Sequence, residues 1–375
     1  MTQRRTGYVW HERYAWHDTG TAVGVAPSGG FNQPHQAFES PESKSRMAGL
    51  VEVSGLIDAL VRVPAVEASD TDLLRVHTPE HVERIRELSA DRGGDAGDGY
   101  TPFGRGSFEI AKLAAGGTMA AVAAVMRGEV DNAYALVRPP GHHARREMGM
   151  GYCLFSNVCV AIEYARAELG VRRVAIVDYD VHHGNGAQQI YWDDPDVLAI
   201  SIHQDRLFPQ DTGSLDEIGG PGAEGRNINI PLPAGSGNGA YLAAIDRVAV
   251  PAIRAFAPDL VIVSSGFDPS AVDPLGCMTV TSGGFKAMAE RILGIAEEAC
   301  GGRVVFSHEG GYSPVHVPFC GLAVLEALSG RETGVEDPFG ASFDASPAHP
   351  LQPWQDEIVA QAEAIAERLG FGRAE

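Results

Sequence analysis

The sequence predicts a single α/β domain, built on a mainly parallel sheet with helices on both faces and long loops at the strand carboxyl ends. Three observations carry this reading. Short β-rich runs alternate with longer helical patterns, the order that feeds a parallel sheet. Each run is almost continuously apolar, as strands buried on both faces are. Polar residues with chemical potential crowd the end of every run, and always the carboxyl end.

Taken in order, the candidate strands are "AYALVRP", "RVAIVDYD", "VLAISIH", "LVIVSSGFD" and "RVVFSHEGG". Between them, Phe108 to Met126 is rich in alanine and free of proline, and reads as a tightly packed helix. Asn157 to Leu169 and Gly239 to Phe256 are helical in pattern, the second interrupted near Pro251, because a proline inside a helix removes one backbone donor. After Pro353 the apolar residues Trp354, Ile358, Val359, Ala362, Ile365, Ala366 and Leu369 recur at helical spacing, so a docked terminal helix over about 353–369 is expected, beyond a catalytic core of about 7–330. His17 to Ser45, Asp91 to Gly106 and Phe208 to Gly225 are rich in Gly, Pro, Ser or Asp and read as loops, which at this length inside one domain are usually functional. The first of them is a candidate pocket lid or contact in a homo-oligomer.

The formal net charge of -20 opposes binding to nucleic acid or to an anionic membrane surface and favours neutral or cationic substrates. Cys153, Cys159, Cys277, Cys300 and Cys320 are odd in number and sit among small or apolar neighbours, which suits buried thiols in a reducing compartment. No apolar leader follows the early arginines and no uncharged apolar stretch of about 18 residues occurs, so the expectation is a cytoplasmic protein.

The chemistry concentrates after the strands. Ligands of parallel sheets bind outside the carboxyl ends, where loops from several strands converge, so "RPPGHH", "DYDVHHGNG", "SIHQD", "SSGFDPS" and "HEGGYS" are placed to share one pocket. Asp178, Asp180 and His182 are spaced by two and project to one side of an extended chain, where a metal collects two of them. Asp268 is the candidate third ligand. A carboxylate and imidazole set without thiolate suits Zn²⁺, Fe²⁺ or Mn²⁺ in a site with open positions. The bland alternative is that the aspartates cap a turn and the histidines satisfy local hydrogen bonds. His142 and His143 suggest proton handling, since imidazole titrates near neutrality, although a pair bonded to backbone carbonyls is the structural alternative. Tyr312 could donate to a developing oxyanion or could simply pack.

Together, "RPPGHHA", "GYCLFSN", "DYDVHHGNG", "SSGFDP" and "HEGGYS" resemble the zinc-dependent histone deacetylase family, closest to its class II-like bacterial histone deacetylase-like amidohydrolases and acetylpolyamine amidohydrolases. The resemblance runs from "GYVWHERY" to about Gly330. It implies an arginase/deacetylase-type fold and hydrolysis of acetyl-lysine side chains or similar linear acetamides, with acetylpolyamines as the alternative substrate and a non-catalytic binder of acetylated ligands as another class. It implies Zn²⁺, with Fe²⁺ as a substitute, held by Asp180, His182 and Asp268. His142 would pair with Asp178, and His143, the expected general base and acid, with Asn185, where class I members carry a second aspartate. Tyr312 would serve the oxyanion. Asp98 would be the rim carboxylate, with Asp95 as a near competitor, and Gly151, Tyr152, Phe208, Leu275 and Gly311 would line the tunnel, Tyr152 replacing the usual Phe. Ser201 with the groups around Asp178, Asp180 and His182 resembles a structural K⁺ site. An arginase-like pair of Mn²⁺ ions is disfavoured by Gly184, which stands where an extra aspartate ligand is expected.

Overall fold

The computed structural model describes residues 4–346 and 349–372. Eight parallel strands form the central sheet: β1 (Thr6–Val9), β2 (Leu60–Arg62), β3 (Asn132–Ala135), β4 (Val174–Asp178), β5 (Val197–Gln204), β6 (Asn227–Leu232), β7 (Leu260–Ser265) and β8 (Val304–His308). Their spatial order is β6-β5-β4-β7-β8-β3-β1-β2. All five strands read from sequence are present, four in shorter form and Val197–Gln204 one residue longer than the run read for it. The three that escaped are edge or short elements: β1 and β2 have four and three residues, and β6 carries Pro231 and alternates polar with apolar side chains.

The sheet is buried from both sides, which explains its apolar runs. Along β4, Val174 and Ile176 pack into one core while Ala175 and Val177 pack into the other. The helices α1 (Glu42–Val53), α2 (Pro79–Ala90), α3 (Ser107–Met126), α4 (Asn157–Glu168), α5 (Asn238–Ala244), α6 (Val250–Phe256), α7 (Ser282–Cys300), α8 (Val317–Ser329) and α9 (Pro353–Arg368) surround it. α2, α3 and α4 supply the core that takes Val174 and Ile176, while α1 and α5 to α9 supply the core that takes Ala175 and Val177. α3 is the one helix among the described residues long and apolar enough to cross a membrane, but 83% of its apolar window lies inside the protein, as befits a core helix. α5 and α6 are joined by a wide π-turn at Ile245–Ala249, so the interruption expected at Pro251 falls just before it and Pro251 starts the next helix.

Three expectations need correction. The segment 91–106, read as a loop, contains an antiparallel pair, Gly94–Asp95 with Pro102–Phe103. The segment 17–45 is not structureless: Thr21–Val23, Ala26–Pro27 and His35–Gln36 form a small antiparallel sheet, and α1 begins inside the segment. Cys277 is exposed while the other four cysteines are buried, because it lies on the loop after β7 and not in an element of the core.

The strand order contains the reason for the site's position. From β4 the chain steps to β5 and β6 towards one edge, whereas β7 and β8 step the other way, so β4 and β7 flank the switch point of the sheet. Ser264 of β7 and Ser201 of β5 both lie in register with Asp178 of β4. Whatever follows β4 and β7 therefore meets in a crevice.

Candidate active site

Asp180 and His182 leave β4 and Asp268 leaves β7, and the three buried side chains converge with donor atoms within 4.8 Å of one another. Nδ1 of His182 lies 3.0 Å from both Asp180 Oδ1 and Asp268 Oδ2. The remaining carboxylate oxygens are oriented by backbone: Asp180 Oδ2 accepts from Gly310 N–H and Asp268 Oδ1 from Val181 N–H, each at 2.8 Å. Two glycines make room, since a Cβ on Gly266 would strike Asp180 and one on Gly310 would strike both aspartates. Two carboxylates and one imidazole, buried together with donor atoms converging, form a donor set that fits one divalent metal. A Cβ on Gly184 would meet the Asp178 carboxylate, so this position has no space for a further ligand side chain.

Asp178, the third member of the spaced trio, turns elsewhere: its Oδ2 bonds His142 Nδ1 at 3.0 Å. Burial disfavours the imidazolium of His142, but the Asp180 and Asp178 carboxylates outweigh burial and raise its pKa well above the usual value. Its neighbour is pushed the opposite way. Burial, then the positive character of His142 and His182, holds His143 well below the ordinary histidine range. Asn185 donates Nδ2–H to the His143 carbonyl and to Met150 Sδ, which turns its Oδ1 towards His143 Nδ1 at 2.6 Å. That orientation assigns the proton to Nδ1 and leaves Nε2 as a free base. Two adjacent histidines thus hold opposite protonation states.

Tyr312 stands across the cleft, its ring centroid 6.5 Å from that of His182. Its backbone is clamped from two directions. Asp273 accepts from the Tyr312 and Ser313 N–H groups at 2.7 and 3.2 Å, and the Gly311 carbonyl accepts from Ser43 Oγ and Lys44 Nζ at 2.9 and 3.3 Å. Burial raises the Tyr312 pKa well above the usual phenol value, so its hydroxyl stays a donor. Lys44 belongs to a buried cluster in which Arg138 Nε and Nη2 each bond a different Glu39 oxygen at 2.8 Å and Lys44 Nζ lies 3.4 Å from Glu39.

A cleft of about 340 Å³ leads down to this chemistry, walled by Val25, Gly151, Tyr152, Leu207, Phe208 and Leu275, with His143, His182 and Tyr312 at its base. The Phe208 ring meets His143 edge-on at a centroid distance of 4.9 Å. Gly311 is not part of the wall; it lies behind Tyr312, where φ of +124° and the proximity of Phe267 and Val317 demand glycine. Asp98 accepts from Gly151 N–H of the cleft wall at 2.8 Å and from Tyr100 N–H at 2.9 Å, while Asp95 spends its carboxylate on Gly97, Gly99 and Thr101 of its own loop. Ser201 Oγ accepts from Gly184 N–H at 3.2 Å beside Asp178.

Sequence reasoning missed Glu39, Lys44, Asp273 and Glu309. Glu309 lies inside a motif singled out above, and its Oε2 accepts from the Gly141 and His142 N–H groups at 2.6 and 3.0 Å, tying the end of β8 to the histidine pair. The signal was the motif itself. Asp273 and the Glu39 cluster leave no local trace.

Comparison with known proteins agrees with this geometry. Residues 37–328 match the histone deacetylase domain. The chain belongs to the histone deacetylase family. It is 49% identical over 98% of its length, and 97% of the relative's, to the histone deacetylase-like amidohydrolase of Pseudomonas aeruginosa. It is 36% identical to a probable deacetylase of Archaeoglobus fulgidus, over 87% of this chain and 86% of that one. The crystal structure of the HDA15 HD domain superposes with a TM-score of 0.83 at 33% identity, covering 97% of this chain and 96% of the other. The fold is accordingly the arginase/deacetylase type of that family, and deacetylase or amidohydrolase activity is its family assignment.

Proposed function

We propose that the protein is a Zn²⁺-dependent amidohydrolase that removes the acetyl group from N-ε-acetyl-lysine side chains or closely similar linear acetamides. The observation that carries the reading is the meeting, at the base of one apolar cleft, of a free imidazole base, a phenol donor and a metal-fitting trio. When bound by Asp180, His182 and Asp268, Zn²⁺ supplies Lewis acidity to the amide carbonyl and to water, a role Fe²⁺ also fills. His143 Nε2 takes the proton from the attacking water, with Asn185 holding the ring. The Tyr312 hydroxyl donates to the oxygen on which charge develops. His143 then returns its proton to the departing nitrogen, and acetate and a free amine are released. His142 stays charged against Asp178 and so keeps His143 neutral between turnovers.

The wall favours acetyl-lysine over acetylpolyamines. Among its residues no carboxylate lines the cleft, so a secondary ammonium a few bonds from the amide would be desolvated without a counter-ion, whereas the methylene chain of lysine meets apolar side chains. Asp98 would hold the substrate backbone at the rim. The family resemblance alone implies a structural K⁺ at Ser201 and the backbone around Asp178, Asp180 and His182, where Ser201 lies in register with Asp178. The test is acetate release from an acetyl-lysine peptide and from acetylspermidine, for the wild type and Tyr312→Phe, with Zn²⁺ quantified in both. A fall of about two to three orders of magnitude at equal Zn²⁺ supports the reading. Bound Zn²⁺ without acetate from either substrate refutes it.

A further inference from the structure

Beside the cleft lies a second cavity of about 270 Å³ that shares Val25, Tyr100 and Tyr152 with it. The shared residues locate the junction. Val25 and Tyr100 are about half exposed, at 49% and 50%, whereas none of the groups at the base of the cleft lines the second cavity. The two spaces therefore join at the mouth, and the second one receives a group next to the acetylated side chain, not a larger acyl group.

Its lining decides what that group is. Ala22, Pro27, Ala37 and the Tyr100 and Tyr152 rings are apolar. The one acidic residue, Asp95, already accepts three backbone N–H bonds, at 2.8 Å from Gly97 and Gly99 and 2.9 Å from Thr101, and offers little to a cation. Thr21 and Ser28 bond each other at 2.9 Å. The one buried side-chain polar atom of the lining without a hydrogen-bond partner is the Tyr152 hydroxyl, a costly arrangement unless something docks against it. Tyr100 follows directly on Asp98 and Gly99, so a substrate backbone held at Asp98 has its neighbouring side chain beside the opening.

We propose that this cavity is a subsite for a neutral apolar side chain, up to the size of a phenyl ring, on the residue adjacent to the acetyl-lysine, and that Tyr152 donates a hydrogen bond to the main-chain carbonyl of that residue. The inference rests on the acetyl-lysine reading given above. It is tested with acetyl-lysine peptides carrying Phe, Asp or Gly at each flanking position, and with acetyl-lysine amide, which has no flanking residue. Wild type and Ala22→Phe, which fills the cavity from its wall, are compared by kcat/KM and, in parallel, by calorimetric binding. The expected result is a preference of about tenfold for a Phe flank over Gly or Asp, seen in binding and turnover, worth about 1.4 kcal/mol. Ala22→Phe abolishes the preference and leaves turnover of acetyl-lysine amide unchanged. As a second variant, Tyr152→Phe weakens all flanked peptides and spares the amide more. Equal affinity for all flanks in the wild type, or a preference that survives Ala22→Phe in a correctly folded protein, overturns the proposal. Failure of acetyl-lysine amide to release acetate bears on the deacetylase reading instead, because the binding comparison needs no turnover.

Discussion

Replacing Asn185 by aspartate exchanges a neutral acceptor for a charge at one point of contact, Nδ1 of His143, 2.6 Å away, with both residues almost fully buried. At an effective dielectric constant of about 20, a unit charge about 3 Å from an imidazolium contributes up to ~5 kcal/mol, and the cost of burying the new carboxylate takes back a large part of it. The net upward shift of the His143 pKa is then about 1–3 units, the range seen for a charge partner at contact distance. The sign follows from the role. A general base works only when deprotonated, so activity rises with pH through the His143 pKa, and His143 starts well below the usual range because burial and two neighbouring histidines disfavour its cation. In Asn185→Asp the acid limb of the kcat/KM profile moves up by about 1–3 pH units. The plateau at higher pH is expected to change less than the limb. The assay is acetate release between pH 4.5 and 9 at fixed Zn²⁺. An acid limb that does not move, in a variant with wild-type metal content, refutes His143 as the proton acceptor.

Three further outcomes are expected. Arg138→Met leaves Glu39 buried with Lys44 as its remaining partner, and unfolding in urea should show a loss of about 3–5 kcal/mol, whereas a change below about 1 kcal/mol would mean that water reaches the cluster. Asp268→Ala removes one of three donors and should weaken Zn²⁺ binding by more than about 100-fold, read by titration against a chelator of known affinity; retention of a full equivalent would move the metal elsewhere. Gly151→Ala places a Cβ against the His143 ring and within 2.9 Å of Phe208 at a φ of +55°, so kcat/KM should drop by about 100-fold with a cooperative melt preserved, and undiminished activity would show that the His143 ring is free to shift.

The metal trio, the histidine pair and the tyrosine were legible because each belongs to a strand's carboxyl end, where an apolar run stops and polar residues begin within a few positions. Their convergence follows from parallel strand order alone. What stayed hidden is what depends on distant partners. "FESPESKS" reads as an exposed polar turn, yet Glu39 and Lys44 are fully buried because Glu39 is paired with both Lys44 and Arg138, about a hundred residues on, and Lys44 also donates to the Gly311 carbonyl. The difference between Asp95 and Asp98 likewise depends on which backbone amides curl around which carboxylate, three from its own loop on Asp95 and the distant Gly151 N–H on Asp98. Cys277 looks apolar in its local window, but it follows Leu275 on the rim and faces solvent. β6 was lost because the pattern of a two-face buried strand fits it poorly: Asn227 and Asn229 donate to Gln188 on the short helix Asn185–Ile190, and Pro231 interrupts the run.

The central position of β3 sets a condition on how this chain comes to exist. It emerges early in synthesis but lies between β1 and β8, pairing Tyr134 with Phe306 across nearly half the sequence. Until β8 has been made, one edge of β3 offers unpaired amides and carbonyls, and the histidine pair that follows it lacks Glu309, Tyr312 and the neighbouring strand. Such late, long-range closure makes for slow folding through states with open edges. A nascent or truncated chain ending before β8 would therefore carry the metal-fitting trio Asp180, His182 and Asp268 and the pair His142 and His143 without Glu309 and Tyr312, a half-assembled site with an open strand edge until its last central strand slides in.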